Sequence, residues 1–319
     1  MGALCPFNNQ SGVDPEVCIR SMACRYIYCP RLGSISRTSV LAGGPAPDDG
    51  LLFLDNITIV VNSVCSLSCK LCTSYIPSYP ADRRKNYPLE RILMDIDQVF
   101  DAVDGIGSVS IMGGEPFLHP DIAAIALAVL AKKNCTGLIS IASSGTARIK
   151  DKHLAGLDNP RLNVSFGNYL SAVQEPARKI WHDNVRLVEE RGIPHTVGVD
   201  QPQWIVPSTL YDRGRTVEEM ATKKGHCPSP PRMLHVKNGK LHPCDLANSV
   251  YSIGLADYPS DYVDIAQSTG RSALRQRIRA FLDAPFYHIC GHCESTSAMA
   301  LKGAEQGYQD FLTRPIDEA

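Results

Sequence analysis

The chain has 319 residues, with 32 basic and 33 acidic side chains and a formal net charge of -1 at pH 7. Such a balance creates no field that would favour nucleic acid or an anionic membrane, so neither is expected as a partner. No run approaches the roughly 18 consecutive apolar residues of a membrane span, and the N-terminus lacks the pattern of a signal peptide, so we expect a cytoplasmic protein.

Twelve cysteines are an unusual feature of this composition. In a reducing compartment cysteines are not expected to form disulfides. Those that cluster in the sequence are therefore interpreted as metal ligands or redox groups.

The chain divides into segments of different character. Residues 1–54 are rich in Gly, Pro, Ser and Cys and end in turn residues, which predicts an irregular N-terminal extension. Over residues 55–215 strand and helix patterns alternate, which predicts βα units around a parallel sheet and hence an α/β fold.

Five strand patterns are readable, with a sixth possible near residues 204–207, and helical patterns lie between them. The predicted strands are 57–62, 108–112, 137–142, 162–167 and 195–200, and the predicted helices are 89–103, 121–133 and 175–192. Gly192 is expected to close the last of these helices. Each strand returns through a helix, which gives an open parallel barrel or sheet with ligands at the C-terminal ends of its strands.

Three cysteines follow the first predicted strand at short spacing. They are Cys65, Cys69 and Cys72 in the sequence VNSVCSLSCKLC. Thiolates converging from one loop suit an iron-sulfur cluster or zinc. Three protein ligands leave one position open for another molecule, whereas a structural zinc site fills all four. From the spacing alone, a zinc knuckle or buried thiols remains the alternative.

The second predicted strand ends in MGGEPFLHPD, residues 112–121. With CSLSCKLC, this sequence resembles the C-x3-C-x2-C and glycine-glycine-glutamate-proline motifs of the radical S-adenosylmethionine (radical SAM) superfamily, over about residues 55–205. The resemblance implies a partial (β/α)6 barrel in which the three cysteines ligate a [4Fe-4S] cluster and S-adenosylmethionine occupies the open iron. Leu71 departs from the family pattern, which usually has an aromatic residue before the last cysteine.

The activity implied by the resemblance is radical chemistry. In this family a reduced cluster cleaves S-adenosylmethionine to methionine and a 5'-deoxyadenosyl radical, which takes a hydrogen atom from the substrate. A flavodoxin- or ferredoxin-type reductant is the implied partner.

The resemblance also implies which residues contact S-adenosylmethionine. Glycines at the end of the second strand permit close backbone approach, a neighbouring carboxylate can meet the amino group of the methionine moiety, and polar residues follow the third and fourth strands. The expected residues are Gly113, Gly114, Glu115, Ser143, Ser144 and Asn168. A tight turn and ordinary loop polarity are the alternatives.

Four further cysteines, Cys227, Cys244, Cys290 and Cys293, have the arrangement C-x16-C-x45-C-x2-C. The first two flank a predicted hairpin with a glycine turn, and the last two follow a predicted helix. This looks like the shortened auxiliary-cluster module called a twitch domain, which is half of a SPASM module. It implies a small C-terminal domain at residues 216–319 that holds a second, fully ligated [4Fe-4S] cluster. A four-thiolate zinc site remains the alternative.

The remaining metal-binding residue types are interpreted more simply. The cysteines of the N-terminal extension are read as reduced thiols in preference to a third cluster or a zinc site. They are Cys5, Cys18, Cys24 and Cys29. Histidines beside the C-terminal cysteines are expected to lie outside the ligand set because four thiolates are already present. They are His226, His288 and His292.

Substrate residues are expected after the fourth and fifth strands. Tyr169, Gln201 and Trp204 are the candidates for substrate contact, and Asp200 is the candidate base, with plain loop chemistry as the alternative.

Several functions are compatible with these motifs. The favoured one is oxidation of a sugar or aminocyclitol alcohol in natural-product or glycan biosynthesis, with the auxiliary cluster accepting an electron. The alternative is crosslinking or epimerisation of a ribosomally made peptide, which is less favoured because no large N-terminal peptide-recognition domain is apparent. A non-catalytic electron carrier is disfavoured because it would not need an open iron beside a GGEP sequence.

Overall fold

The structure is a computed structural model, which describes residues 51–200, 203–205, 207–227, 233–268, 270–294 and 301–303. The N-terminal extension up to residue 50, with its four cysteines, lies outside the described residues. No helix in the described ranges is long and apolar enough to cross a membrane.

The strands and helices alternate over the first two thirds of the described chain. The strands are β1 (Phe53–Val60), β2 (Gly105–Met112), β3 (Ile139–Ser143), β4 (Leu162–Phe166), β5 (His195–Val197), β6 (Gln203–Ile205), β7 (Met233–Lys237), β8 (Lys240–His242), β9 (Val263–Asp264) and β10 (Leu301–Gly303). The α-helices are α1 (Leu89–Ala102), α2 (Ile122–Leu130), α3 (Asp151–Leu154), α4 (Glu175–Glu190), α5 (Val217–Gly225), α6 (Asp245–Ile253) and α7 (Arg271–Asp283).

Most strands belong to one sheet in the order β5-β4-β3-β2-β1-β7-β8-β9. The pairings from β5 across to β7 are all parallel, and β8 and β9 continue the sheet in antiparallel fashion. This parallel-dominated sheet with intervening helices confirms the α/β class and is consistent with a partial radical SAM barrel.

The sixth parallel strand is not the one near residues 204–207. Within the described residues, β6 pairs antiparallel with β10 in a separate two-stranded sheet. The sixth parallel strand is β7, which pairs with the edge of β1 that β2 leaves free. Because an unpaired strand edge presents unsatisfied N–H and C=O groups, this pairing completes the hydrogen bonding of β1.

The core lies between the parallel strands and their helices. Leu54, Ile57 and Ile59 of β1 are almost inaccessible to solvent, as expected for a strand covered on both faces. In α1 the buried residues Ile92 and Ile96 are four positions apart and share one face. The predicted helices at 89–103, 121–133 and 175–192 are confirmed as α1, α2 and α4, each of them one to four residues shorter than predicted.

The glycine turns predicted from the sequence are also present. Gly192 follows α4 with φ 64°, the left-handed conformation of a helix-terminating glycine. Between β7 and β8, Asn238 has φ 45° and Gly239 has φ 85°. Two consecutive positive φ angles are typical of the type I′ turn, which explains the Asn-Gly sequence of this hairpin.

Candidate functional site

The candidate site lies at the carboxyl edge of the sheet, where β1 and β2 end side by side. Val60 is paired with Met112 in the parallel register. The loop after β1 carries Cys65, Cys69 and Cys72, all partly exposed. Because β1 and β2 end side by side, this loop lies against Gly113 and Gly114, which follow β2.

The glycine pair packs directly against the cysteine loop. A Cβ on Gly113 would lie 2.2 Å from Oδ1 of Asn62, and one on Gly114 would lie 2.2 Å from the carbonyl oxygen of Val64. The same added atom would be 3.1 Å from Cβ of Cys65. No side chain fits in either place, so the contact between the loop and β2 requires glycine at both positions.

Asn62 joins the two strand ends through hydrogen bonds. Its side-chain Nδ2 donates to the carbonyl oxygen of Glu115 at 2.8 Å, and its Oδ1 accepts from the N–H of Gly114 at 3.1 Å. Asn62 is fully buried. Asn62 is not among the site residues predicted from the sequence, although a polar residue at the end of a predicted strand was the available signal.

Glu115 is fully buried, and its carboxylate is surrounded by protein donors. Oε1 accepts from Oγ of Ser143 at 2.8 Å and from the N–H of Phe117 at 3.2 Å. Oε2 accepts from Oγ of Ser144 at 2.6 Å and from its N–H at 2.9 Å. Burial raises the pKa of Glu115, whereas these hydrogen bonds oppose the rise. The carboxylate thus ties the end of β2 to the end of β3.

These contacts give Glu115, Ser143 and Ser144 a structural task within the protein. Their predicted contacts with S-adenosylmethionine stay predictions. Thr146, which is not among the residues predicted from the sequence, extends the network, since its hydroxyl lies 2.9 Å from that of Ser144 and 2.8 Å from that of Ser66 in the cysteine loop. The loop is therefore held from β3 as well as from β2.

The three thiols of the loop lie in a poorly solvated environment. Burial raises the pKa of Cys65 to about 12, with the charge of Glu115 as the second cause. Burial also raises the pKa of Cys69 and of Cys72. A cation is needed to stabilise the thiolate form here, because bound metal favours the deprotonated ligand.

The loop offers three cysteine thiols as donors. In the described ranges, no three or more His, Cys, Asp or Glu side chains are grouped so that they could hold a metal ion. A single ion needs all its ligand atoms within about 2–2.6 Å of one point, whereas an iron-sulfur cluster distributes its cysteines over several irons. Three thiols on one loop are the type of donor that such a cluster uses.

The predicted mouth residues have different surroundings. Tyr169 is partly buried, and burial followed by the charge of Cys69 raises its pKa, so its hydroxyl lies near the cysteine loop. Oδ1 of Asn168 accepts from the N–H of Leu170 at 3.3 Å. Asp200 is exposed, and its Oδ1 accepts from Oγ of Ser171 at 2.9 Å.

Two of the substrate candidates are not described in full. Gln201 lies outside the described residues, as does the side chain of Trp204, whose backbone belongs to β6. Their predicted contacts with substrate stay predictions.

The four C-terminal cysteines lie close enough to influence one another's pKa. Cys244 precedes the first residue of α6, and burial raises its pKa well above the ordinary value, with further contributions from the other three thiols. Burial also raises the pKa of Cys290 to about 11, again with Cys293 and Cys227 contributing. Cys227 is the exposed member. Their predicted role as cluster ligands stays a prediction.

Arg215 and the neighbouring histidines support this region from the protein side. One guanidinium nitrogen of Arg215 donates to the carbonyl oxygens of Cys290 at 3.0 Å and Cys293 at 2.6 Å. Each of the three histidines has a ring nitrogen within hydrogen-bond distance of another group. The contacts join His226 to Thr222, His288 to Asp261 and His292 to both Leu210 and Tyr258.

Tyr75 lies between the two cysteine groups. It is buried, and its hydroxyl donates to the carbonyl oxygen of Ser208 at 2.7 Å. After burial and the charge of Asp245, the thiols of Cys244, Cys293 and Cys72 all contribute to raising its pKa. Thiols of both cysteine groups thus influence the pKa of this one tyrosine.

One family model matches part of the chain. Residues 59–199 match the model of the Radical SAM superfamily. No curated protein matches the sequence.

Several solved structures are similar in fold at low identity. One is native anSMEcpe with bound AdoMet and the Cp18Cys peptide, at 16% identity over 44% of this chain and 42% of that chain, with a TM-score of 0.35. Another is BtrN in complex with AdoMet and 2-DOIA, at 14% identity over 77% and 94% of the two chains, with a TM-score of 0.44. A third is Streptococcus suis SuiB bound to the precursor peptide SuiA, at 13% identity over 73% and 65%, with a TM-score of 0.39. The chain therefore spans less than half of the anSMEcpe chain in that alignment.

Proposed function

We propose that this chain, whose residues 59–199 match the model of the Radical SAM superfamily, is an oxidoreductase that converts an alcohol of a sugar or aminocyclitol into a ketone. The observation that carries the proposal is the packing of the loop bearing Cys65, Cys69 and Cys72 against Gly113 and Gly114 at the carboxyl edge of the sheet. Ligands of parallel α/β sheets bind at this edge.

The three cysteines of the loop would hold a [4Fe-4S] cluster, and the glycine end of β2 would border S-adenosylmethionine. When bound, these groups supply a carbon radical that can take a hydrogen atom from the substrate. The contribution of the chain is to fix the loop. Asn62 and Thr146 hold it to β2 and β3 through the hydrogen bonds described above, so that the thiols start from a defined position.

Oxidation of an alcohol to a ketone removes one hydrogen atom from carbon, one proton from oxygen and one further electron. Asp200 is the proposed acceptor of the proton, because it is an exposed carboxylate three residues after the end of β5. The hydrogen bond from Ser171 orients one of its oxygens at 2.9 Å. A general base requires reach and a suitable pKa.

The group formed by Cys227, Cys244, Cys290 and Cys293 would hold a second [4Fe-4S] cluster that accepts the further electron. The support is that the other three thiols contribute to raising the pKa of Cys244, and that thiols of both cysteine groups contribute to raising the pKa of Tyr75. Four thiolates satisfy a cluster completely, which suits electron acceptance better than substrate binding.

Iron content and nucleoside release test the proposal together. Reconstituted wild-type protein should contain about eight irons per chain and should release 5'-deoxyadenosine from S-adenosylmethionine under reducing conditions. A Cys290→Ala, Cys293→Ala double variant should lose about half of the iron but retain nucleoside release. The matched control is Cys135→Ala, which alters a buried thiol outside both groups and should leave both quantities unchanged.

Two results would count against the proposal. Zinc in place of iron in the C-terminal group would remove the electron acceptor. Absence of nucleoside from protein with a full iron complement would remove the radical reaction itself.

The substrate class is tested separately with the reconstituted protein. Aminocyclitols and sugars should give products lighter by two hydrogen atoms, together with 5'-deoxyadenosine in equal amount. Turnover of linear peptides alone would favour peptide modification instead. An Asp200→Asn variant should slow alcohol oxidation while leaving iron content unchanged.

A further inference from the structure

A basic cavity lies beside the cysteine loop and takes no part in the function proposed above. Its volume is about 340 Å³, and it borders the end of β7, the hairpin turn and the C-terminal end of α6. This volume is within the range of small-molecule sites, about 300–1,000 Å³. Its charged and aromatic lining includes Arg83, Lys85, Tyr87, Lys237, Lys240 and Tyr251.

The charged side chains that line the cavity are all basic. Four of the lining residues are basic, and no lining residue is Asp or Glu. The chain as a whole, in contrast, has a net charge of -1. Lys240 is paired with Asp264 at 2.9 Å. Within the described part of the chain, Arg83, Lys85 and Lys237 form no ion pair. The positive charges of Arg83 and Lys85 therefore lack a counter-ion there.

Lys237 is the deepest of these cations, with only 5% of its surface exposed. Its Nζ donates to the hydroxyl of Tyr79 at 2.7 Å and lies 4.8 Å from the centre of the same ring. Burial lowers the pKa of Lys237 to about 7, and the charge of Asp245 only partly opposes this. A buried ammonium group with neutral hydrogen-bond partners is costly unless an anion compensates it.

Arg83 is held in a defined position at the cavity rim. Its guanidinium donates to the carbonyl oxygen of Ser252 at 3.0 Å. A Cβ on Gly254 would lie 2.1 Å from the same nitrogen, so the glycine that ends α6 makes room for the guanidinium. The charge at the rim is therefore positioned by the fold and does not depend on a freely moving side chain.

We propose that this cavity binds a phosphate-bearing small molecule. A phosphomonoester carries about -1.5 to -2 charge near pH 7 and three acceptor oxygens, which matches several convergent cations better than a singly charged carboxylate does. Arg and Lys are the residue types that proteins use for such groups. Tyr87 and Tyr251 also line the cavity and supply aromatic surface for the organic part of the ligand.

The location of the cavity connects it to the cysteine loop. Lys237 also lines the narrow space that Asn62, Met112 and Gly113 border. A phosphate held by Lys237 would thus lie on the side of β1 where the loop begins. The inference does not depend on the radical reaction, because none of its residues belongs to the cysteine groups.

Titration calorimetry on the reconstituted full chain tests the proposal with three probes: inorganic phosphate, phenyl phosphate and benzoate. We expect one binding event per chain for each of the two phosphates, with phenyl phosphate bound more tightly. Benzoate should bind at least about tenfold more weakly, a difference of about 1.4 kcal/mol in binding free energy. Stronger binding of inorganic phosphate than of phenyl phosphate would identify free phosphate as the ligand. It would overturn the proposal that the cavity also contacts the organic part of a phosphate ester.

Two variants locate the binding event. Lys85→Ala changes an exposed residue and Lys237→Met a buried one, and each should weaken binding of phenyl phosphate by about tenfold or more. Lys133→Ala is the matched control at an exposed lysine outside the cavity and should bind as the wild type does. Wild-type affinity in Lys85→Ala, which needs no repacking of the core, would overturn the proposal, as would equal affinity for benzoate and phenyl phosphate.

Discussion

Lys237 has an unusual environment for a lysine, and its protonation should couple to folding. Burial lowers its pKa from the ordinary value of 10.5 to about 7. In the unfolded chain the amine keeps its proton up to the higher value. Between about pH 7 and 10.5 the unfolded state therefore binds more protons, and the contribution of this residue to the free energy of unfolding rises with pH.

A Lys237→Met variant should remove this contribution. Below pH 7 the variant should have a higher free energy of unfolding than the wild type, because the wild type must bury a charged amine. As the pH rises toward 10 this amine becomes neutral in the folded protein, so the difference should shrink. Urea unfolding at pH 6 and pH 9 in phosphate-free buffer measures this. Lys133→Met is the control and should show no such trend; a difference between variant and wild type that does not vary with pH would contradict the prediction.

The residues around Glu115 show what spacing can and cannot predict. The sequence placed Glu115, Ser143 and Ser144 correctly at the ends of neighbouring strands. It did not predict that the carboxylate accepts hydrogen bonds from both serines. Strand ends follow from periodicity, whereas the direction of a side chain depends on the packing of two strands that are distant in sequence.

The β7–β8 hairpin is the element for which the sequence was most informative. The Asn-Gly pair is the strongest short-range signal for a type I′ turn, and both residues have positive φ. The turn is local, so its residues suffice to specify it. Its backbone is also fixed to α1, since the N–H of Gly239 donates to Oδ2 of Asp95 at 2.8 Å.

Replacing Gly239 with alanine should destabilise the protein by about 1–2 kcal/mol, because a side chain disfavours the left-handed conformation. An added Cβ would have room, since its nearest neighbour, Cδ of Arg91, would be 3.9 Å away. The cost is therefore in the backbone. Urea unfolding measures it.

Gly225→Ala is the matched control for this prediction. Gly225 has no neighbour within 4 Å of an added Cβ and no positive φ. Alanine there should be neutral or stabilising by up to about 1 kcal/mol. Equal losses in the two variants would show that the turn conformation is not the cause.

The strand near residues 204–207 illustrates the opposite case. Its sequence indicates a β-strand, and β6 does form there. Its partner is β10, almost a hundred residues later, while the parallel position is taken by β7. Pairing is decided by long-range contacts, which local periodicity does not report.

At the scale of the whole molecule, residues 74–75 connect the core to the C-terminal part. Oγ of Ser74 donates to Oδ2 of Asp245 at 2.8 Å, and the carbonyl oxygen of Ser74 accepts from Ser249 at 3.2 Å. Tyr75 adds the bond to Ser208 described above. The sequence predicted two cysteine groups from their spacings, but their approach around Tyr75 follows from this packing.

Tyr75→Phe should reduce the free energy of unfolding by about 1 kcal/mol, because the carbonyl of Ser208 loses its donor and the ring is retained. Chemical denaturation of the full chain measures the loss. Tyr211→Phe is the control, since it keeps the ring that lies under Arg213, and it should change stability by less than about 0.5 kcal/mol. An equally small effect in Tyr75→Phe would mean that the hydroxyl does not help to join the two parts.

The position of β1 between β2 and β7 has a consequence for biosynthesis. Ribosomes deliver the chain from the N-terminus, so β1 and β2 emerge early, whereas β7 emerges after most of the described residues. Until then β1 has a partner on one side only. The cysteine loop that follows β1 therefore leaves the ribosome attached to a sheet whose last parallel strand is still missing.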